Sequence, residues 1–182
     1  MAYVDLIIRT MLSAVFVISS VGKIRTAEAW HDFRSSIDSL EMIPPRLART
    51  TALGVVALEI VVAISLPIPA LSMAGLAGSA SLLVLFSAVI VRAMRAGRRV
   101  ECRCFGSSDT PMGVPHLLRN AFLLLATAGG AALSSARAPY SAELLLVSVP
   151  AGVAGAVLIA SFVELYSLFD NSSPVSQKGR RR

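Results

Sequence analysis

The chain is poor in charged residues and in cysteine. Charged residues make up 15% of the 182 residues and hydrophobic residues 55%, with a mean hydropathy of +0.71. Soluble globular domains carry about 25% charged residues, so this composition is typical of a membrane protein. The two cysteines are too few for a disulfide framework. The length suits one compact bundle and leaves no room for a second domain.

A recognisable cleavable signal sequence is also lacking. No basic region precedes the first apolar run, Asp5 and Arg9 occur early in it, and no small-residue cleavage site follows. We therefore predict that this segment is retained as a first helix. The net charge is +6, but the basic residues lie between long apolar segments. That pattern indicates orientation signals and contacts with anionic lipids, not nucleic-acid binding.

Five apolar segments are long enough to cross a bilayer as helices, which takes about 20 residues each. Open sheets are excluded from lipid because their edges would be unsatisfied. The predicted fold is therefore an all-α polytopic membrane bundle of about five transmembrane helices, formed by a single domain over residues 1–170. The polar, basic segment 171–182 is predicted to be a disordered tail. The predicted spans are Tyr3–Val21, Thr50–Leu66, Ala70–Val91, Val114–Leu133 and Ala142–Leu168.

The connection between the first two spans carries an amphipathic pattern. Trp30, Phe33, Ile37 and Leu40 recur at helical spacing among charged residues. This predicts a helix at the membrane interface that ends at Pro44-Pro45.

Basic residues are distributed unequally between the two sides of the predicted bundle. Fifteen Lys and Arg residues fall on one side and only Arg137 on the other, with Arg9 inside the first span. The positive-inside bias predicts a multi-pass protein of the cell membrane with its N-terminus outside. The loop after the third span and the C-terminus are then cytoplasmic.

Charged residues also fall within or at the ends of the apolar segments. Burying a charge in the bilayer costs at least a few kcal/mol, so such residues usually pair or face a cavity. Counting from the predicted helix ends places Arg9 and Glu59 at similar depths, which predicts an ion pair between the first two spans. Glu164 is expected to reach the inner interface, and Lys23 to extend from the end of the first span towards water.

Both cysteines lie in the segment VECRCFGSSD, separated by one residue. Arg103 between Cys102 and Cys104 favours the reactive thiolate. A disulfide needs Cα atoms within about 7 Å, so the loop must turn there, and Gly106 permits this. Such a bridge would be strained and easily reduced, which is typical of a redox relay.

Other roles for the two thiols stay open at this point. Two cysteines can supply half of the ligands of a tetrahedral zinc site, and His116 is a candidate third ligand. No fourth is evident, so no metal is assigned. Juxtamembrane cysteines are also palmitoylation sites. Two inert thiols form the remaining alternative.

Several motifs occur in the order found in a known family. The sequence resembles the MauE family, methylamine-utilisation membrane proteins related to DoxX, and Cys-x-Cys-Phe-Gly between the third and fourth spans is the most specific match. The resemblance covers about two-thirds of the chain. The matching residues are Arg9; Ser20, Gly22 and Lys23; Pro44 and Pro45; Glu59; Cys102, Cys104, Phe105 and Gly106; and Arg119 and Asn120.

The resemblance implies a DoxX-like four-helix core plus one helix, working beside thioredoxin-like partners. Relatives are linked to maturation of a disulfide-rich dehydrogenase in methylamine utilisation. We therefore predict a membrane thiol–disulfide redox protein, a candidate oxidoreductase, in which Cys102 and Cys104 exchange electrons with a thioredoxin-like protein. Arg103 and Arg119 would favour the thiolate, while Arg9, Lys23, Glu59 and Asn120 would be intramembrane polar residues.

Two further points accompany this prediction. A quinone is a candidate terminal partner by analogy with other membrane disulfide enzymes, although nothing in the sequence identifies its site. The alternative function is a non-catalytic membrane scaffold or assembly factor whose Cys-x-Cys is structural.

Overall fold

The computed structural model describes residues 1–40, 43–96, 113–133 and 141–171, and the side chains of the last range as far as Phe162. These residues form helices joined by turns, and no strand occurs among them. Five helices have the length and composition to cross a membrane, as predicted, and the sixth is short and amphipathic. The helices are α1 (Ala2–Ile24), α2 (Ala27–Ser39), α3 (Pro45–Ser65), α4 (Ser72–Arg95), α5 (Val114–Leu133) and α6 (Ala142–Asn171).

Helix α1 occupies the centre of the bundle, because it contacts each of the other five helices. Its inner residues form the main apolar core with side chains of α3, α4 and α5. Leu12, Leu66, Leu76 and Leu123 are almost completely inaccessible there. Large apolar side chains on the outer faces of α3 to α6 are exposed, as expected for helices that contact lipid.

The contact between α1 and α6 is the closest in the bundle. A Cβ atom on Gly152 would overlap the side chain of Thr10, and one on Gly155 would lie 3.4 Å from the Met11 sulfur. The Thr10 hydroxyl also donates to the Ser148 carbonyl at 3.3 Å. Small residues at this interface let the backbones approach, which is how helices associate within lipid.

Three hydroxyl groups within the spans are satisfied inside their own helices. Ser79, Ser87 and Thr127 donate to backbone carbonyls four residues earlier, at 2.7 to 2.8 Å. This back-bonding lets a hydroxyl lie in an apolar environment without an unpaired donor.

Helix α2 differs in two ways from the interfacial helix that we predicted. It begins with the Thr26 hydroxyl capping the Ala29 amide at 3.1 Å but already ends at Ser39, and Pro45 instead starts α3. Its apolar residues Phe33 and Ile37 pack on the first half of α3. The apolar face of α2 therefore packs on protein, and the location of this helix at the membrane interface stays a prediction.

Candidate functional site

A fully buried ion pair joins the end of α1 to the middle of α3. The Lys23 ammonium donates to both oxygens of the Glu59 carboxylate, at 2.7 and 2.9 Å, and both side chains are 0% exposed. Ser19 and Ser20 complete the group by donating their hydroxyls to the same carboxylate at 3.0 and 3.3 Å. Four polar side chains from two helices thus satisfy one another away from solvent.

Helices α2 and α4 each place an aromatic ring next to the Lys23 ammonium. Lys23 Nζ lies 5.3 Å from the centre of the Phe33 ring of α2 and 5.9 Å from that of Phe86 of α4. Both distances fall within the range of cation–π attraction. Lys23 Nζ also lies 2.6 Å from the Ser19 hydroxyl. This pair, its serines and its aromatic neighbours are here called the Lys23–Glu59 cluster.

The predicted ion pair between Arg9 and Glu59 is wrong, because Glu59 binds Lys23. Arg9 instead pairs with Asp5, one turn earlier in the same helix, with a nitrogen–oxygen distance of 2.7 Å. The Ser13 hydroxyl bonds the Ala63 carbonyl, while Ser19 and Ser20 bond Glu59. This antiparallel register places Arg9 beside the turn that follows α3. Counting from predicted helix ends gave the wrong depth because the two helices are offset.

The expected extension of Lys23 towards water is also wrong. The side chain is buried and turns back to Ser19 and Glu59. The physical reason is α2, which covers the end of α1 and brings Phe33 over the ammonium group. The basic asymmetry survives this correction. Without the buried Lys23 and Arg119, thirteen basic residues still lie on the predicted cytoplasmic side, and only Arg137 lies on the other.

Helix α5 contributes a second polar group at the same level of the bundle. His116, Arg119 and Asn120 lie on its buried inner face, and the Asn120 amide donates to the Ser87 hydroxyl of α4 at 3.3 Å. Gly130 of α5 lies against Ile8 of α1. Because the two helices run antiparallel, His116 falls opposite residues 22–23. The α5 residues therefore share a level with the Lys23–Glu59 cluster.

Among the buried polar residues at this level of the bundle, here called the polar layer, His116 has the fewest hydrogen bonds. It is 3% exposed, and neither ring nitrogen has a hydrogen-bond partner within the described part of the chain. Leaving a buried polar atom unpaired costs about 1–3 kcal/mol, so an unpaired histidine in a bundle is a candidate for binding or proton transfer. Sequence reasoning named His116 only as a third zinc ligand.

The cysteine segment lies between α4 and α5 in the chain. Cys102, Arg103 and Cys104 lie outside the described residues, and so does the side chain of Glu164. The segment follows α4, which ends at Arg95, and precedes α5, which begins at Val114. Lys23 lies over Phe86 of α4. Both helix ends therefore belong to the end of the bundle that holds the Lys23–Glu59 cluster.

Two cofactor hypotheses were compared with the structure. Within the described ranges no three His, Asp or Glu side chains are grouped as metal ligands, and the zinc alternative, which needs both cysteines, lies outside those ranges. A groove between α5 and α6 is bordered by a single polar side chain, Arg119, which is too little to define a quinone site. Its other lining residues are Leu118, Phe122, Leu158, Ile159 and Phe162.

Comparison with known proteins agrees with the sequence resemblance. The family model described as "Methylamine utilisation protein MauE" matches residues 1–133, which include α1 to α5 and the cysteine segment. The chain belongs to the MauE family. The similar "Methylamine utilization protein MauE" of Paracoccus denitrificans is 26% identical over 118 residues, which are 64% of this chain and 62% of that protein. No solved structure matches the chain.

All the predicted site residues lie inside the region that the MauE family model matches, residues 1–133. They are Arg9, Lys23, Glu59, Cys102, Arg103, Cys104, Arg119 and Asn120. Helix α6, by contrast, begins beyond it. The Lys23–Glu59 cluster and the polar face of α5 are therefore built entirely from the MauE region.

Proposed function

We propose that this MauE-family membrane protein transfers electrons between its Cys102–Cys104 pair and a thioredoxin-like partner. In one direction, a thiolate of the pair attacks the partner's disulfide and forms a mixed disulfide. The second thiol then resolves it. The pair is left as a disulfide and the partner as a dithiol. Two electrons and two protons have then passed from the pair to the partner.

The observation that carries this proposal is the position of the cysteine pair within the chain. The only two cysteines are one residue apart, in the segment of the chain between α4, which ends at Arg95, and α5, which begins at Val114. Arg103 between the thiols would favour the thiolate, with Arg119 in the proposed supporting role. We propose that this exchange serves the maturation of a disulfide-containing protein. The name of the similar Paracoccus denitrificans protein refers to methylamine utilisation, and we propose the same pathway for this chain.

The redox state of the cysteine pair tests this proposal directly. We expect Cys102 and Cys104 to shift between thiol and disulfide when cells are grown under reducing and oxidising conditions. Acid quenching followed by alkylation with a mass-tagged maleimide would count the free thiols. A Cys102→Ser/Cys104→Ser variant gives the untagged reference. Two thiols that stay reduced under every condition would support the scaffold alternative.

We further propose that the cysteine segment faces the cytoplasm of a cell-membrane protein, as the basic asymmetry predicts. After reduction of intact cells with a permeant reductant, a membrane-impermeant maleimide should leave both cysteines unlabelled until the membrane is permeabilised. Ala70→Cys in the cysteine-free variant is the matched control, because Ala70 is exposed in the turn between α3 and α4. It should be labelled in intact cells. Labelling of Cys102 or Cys104 in intact cells would reverse the orientation.

A further inference from the structure

One buried side chain in the described ranges can exchange a proton without breaking an ion pair. The buried titratable side chains there are Asp5, Arg9, Lys23, Glu59, His116 and Arg119. Four of them form the two buried ion pairs, and an arginine does not lose its proton in proteins. His116 is the remaining one.

The fold keeps His116 at a cost in stability. Both ring nitrogens are buried without a hydrogen-bond partner in the described part of the chain. A buried polar group in that state destabilises the folded protein, and an apolar side chain of similar shape would remove the cost. Features that lower stability in this way are concentrated at functional sites, where activity depends on them. The unpaired ring therefore indicates a role in the chemistry of the protein.

The register of α4 and α5 shows what surrounds the histidine. The two helices run antiparallel, and the Asn120 amide donates to the Ser87 hydroxyl. His116 lies one turn before Asn120 on the same face of α5. It is therefore level with Ile90 and Val91 of α4, which carry no charge.

The charged groups at this level lie on α5 itself and on α1 and α3. Arg119 follows His116 by three residues, on a neighbouring position of the helix. Lys23 of α1 is level with His116 and is bound to Glu59 of α3. A neutral imidazole ring has one nitrogen that donates a hydrogen bond and one that accepts. These are the two groups that proton transfer uses.

His116 also lies at the end of the bundle where the chain leaves α4 and enters α5. It is in the first turn of α5, twelve residues after Cys104 in the sequence. In thiol–disulfide exchange a thiol of the pair loses a proton as it becomes the attacking thiolate, and the partner's leaving thiolate takes one up. A group that accepts and returns a proton accelerates such a reaction.

We propose that His116 accepts the proton that a thiol of the Cys102–Cys104 pair releases, and gives it to the thiolate that leaves the partner's disulfide. The S–H bond breaks as the thiolate sulfur bonds to the partner, and the imidazole returns to its neutral form when the partner's thiol is made. This inference rests on the proposed function, because it assigns a further residue to that exchange.

The first test compares exchange with a thioredoxin-like protein over a range of pH. His116→Leu should react roughly 100-fold more slowly than the unchanged protein at pH 6. The two rates should converge near pH 9.5, because a free thiol ionises there without a base. The matched control is His31→Leu, which removes the chain's other histidine from an exposed site in α2. It should follow the unchanged protein at every pH.

Two results of this comparison would overturn the inference. One is an unchanged rate of His116→Leu at pH 6, and the other is a rate reduced equally at every pH, as a structural role predicts. If the unchanged protein did not exchange at all, the proposed function would fall, and this inference with it.

The melting temperature in detergent tests the cost of the unpaired ring. His116→Leu should raise it by about 2–12 °C, because the change removes two unpaired polar atoms at similar volume. Asn120→Leu, one turn away on the same face, should lower it, because it breaks the bond to Ser87. A lower melting temperature of His116→Leu would show that the ring is bonded and structural, and would overturn the inference.

A cross-link tests the reach of His116 without measuring activity. His116→Cys is combined with Cys102→Ser or with Cys104→Ser, and the purified protein is oxidised with copper phenanthroline. In at least one variant the two cysteines should join within one chain and leave no thiol for a mass-tagged maleimide. Thr127→Cys, about 16 Å further along the same face of α5, is the control and should keep both thiols. Absence of the cross-link from both His116→Cys variants would overturn the inference.

Discussion

Replacing Glu59 alone by leucine is expected to destabilise the protein severely. The change leaves the Lys23 ammonium buried at 0% exposure without its carboxylate, and breaking a buried pair in this way costs about 3–5 kcal/mol. Proteins of this size are stable by only about 5–15 kcal/mol. We expect little folded protein in the membrane fraction and a melting temperature in detergent lowered by about 6–20 °C, at about 2–4 °C per kcal/mol.

The double change Lys23→Met/Glu59→Leu should recover most of that loss. Replacing both charges by apolar side chains of similar volume removes the unpaired ion and is often neutral or stabilising. The matched control combines Glu59→Leu with Arg9→Met. Arg9 lies fourteen residues before Lys23, about 21 Å along the helix, and pairs with Asp5. This combination should be at least as damaging as Glu59→Leu alone.

One outcome would contradict the structural role of the pair. If Glu59→Leu accumulated and melted like the unchanged protein, the ion pair would contribute nothing to stability. If the double variant Lys23→Met/Glu59→Leu were stable, as expected, but inactive in thiol–disulfide exchange, the pair would serve function as well as folding. The second result would direct attention to proton transfer in the layer that also holds His116.

The five spans could be predicted from the sequence because hydropathy and length depend only on local composition. The predicted fourth span coincides with α5 at both ends, and the others differ by a few residues. The unpaired backbone groups of a span have no partner in lipid, so a long apolar segment has few alternatives to a helix. This is why the fold class followed directly from composition.

The pairing of buried charges could not be predicted in the same way. It depends on the offset between α1 and α3, which is fixed by contacts such as the Ser13 hydroxyl with the Ala63 carbonyl. No single-sequence pattern encodes that offset. The Asp5–Arg9 pair was visible as an i, i+4 spacing, and recognising it would have left Glu59 for another partner. Lys23 was not recognised as that partner, because a lysine at the end of a span is expected to extend towards water.

The contact between α2 and α3 could not be predicted for a related reason. An amphipathic pattern shows that one face of a helix is covered but not what covers it. In the structure, Ala48 and Ala52 of α3 provide a flat surface for Phe33 and Ile37. Their small size, four residues apart, is a signal in the sequence for such a contact. This contact also places Phe33 over Lys23.

Changing Cys102→Ser or Cys104→Ser is expected to abolish thiol–disulfide exchange with a thioredoxin-like protein, and the double change should be no worse than either single one. Exchange proceeds through a mixed disulfide that one thiolate forms and the other resolves. Loss of the resolving thiol should therefore trap a covalent complex with the partner, seen as a band on a non-reducing gel that disappears on reduction. Exchange rates with purified protein provide the quantitative measurement.

Two variants in the same segment separate the chemistry from the loop itself. Arg103→Glu should slow exchange without eliminating it, because a negative neighbour raises the thiol pKa and lowers the thiolate fraction. Ser108→Ala, which changes neither thiol nor charge, should exchange at the unchanged rate.

If both single serine variants kept full exchange, the relay proposal would be wrong. If they instead lost bound zinc or partner assembly and formed no mixed disulfide, the cysteines would have a structural role. A covalent complex from only one of the two serine variants would identify the missing cysteine as the resolving thiol, because only the attacking thiol forms the bond to the partner.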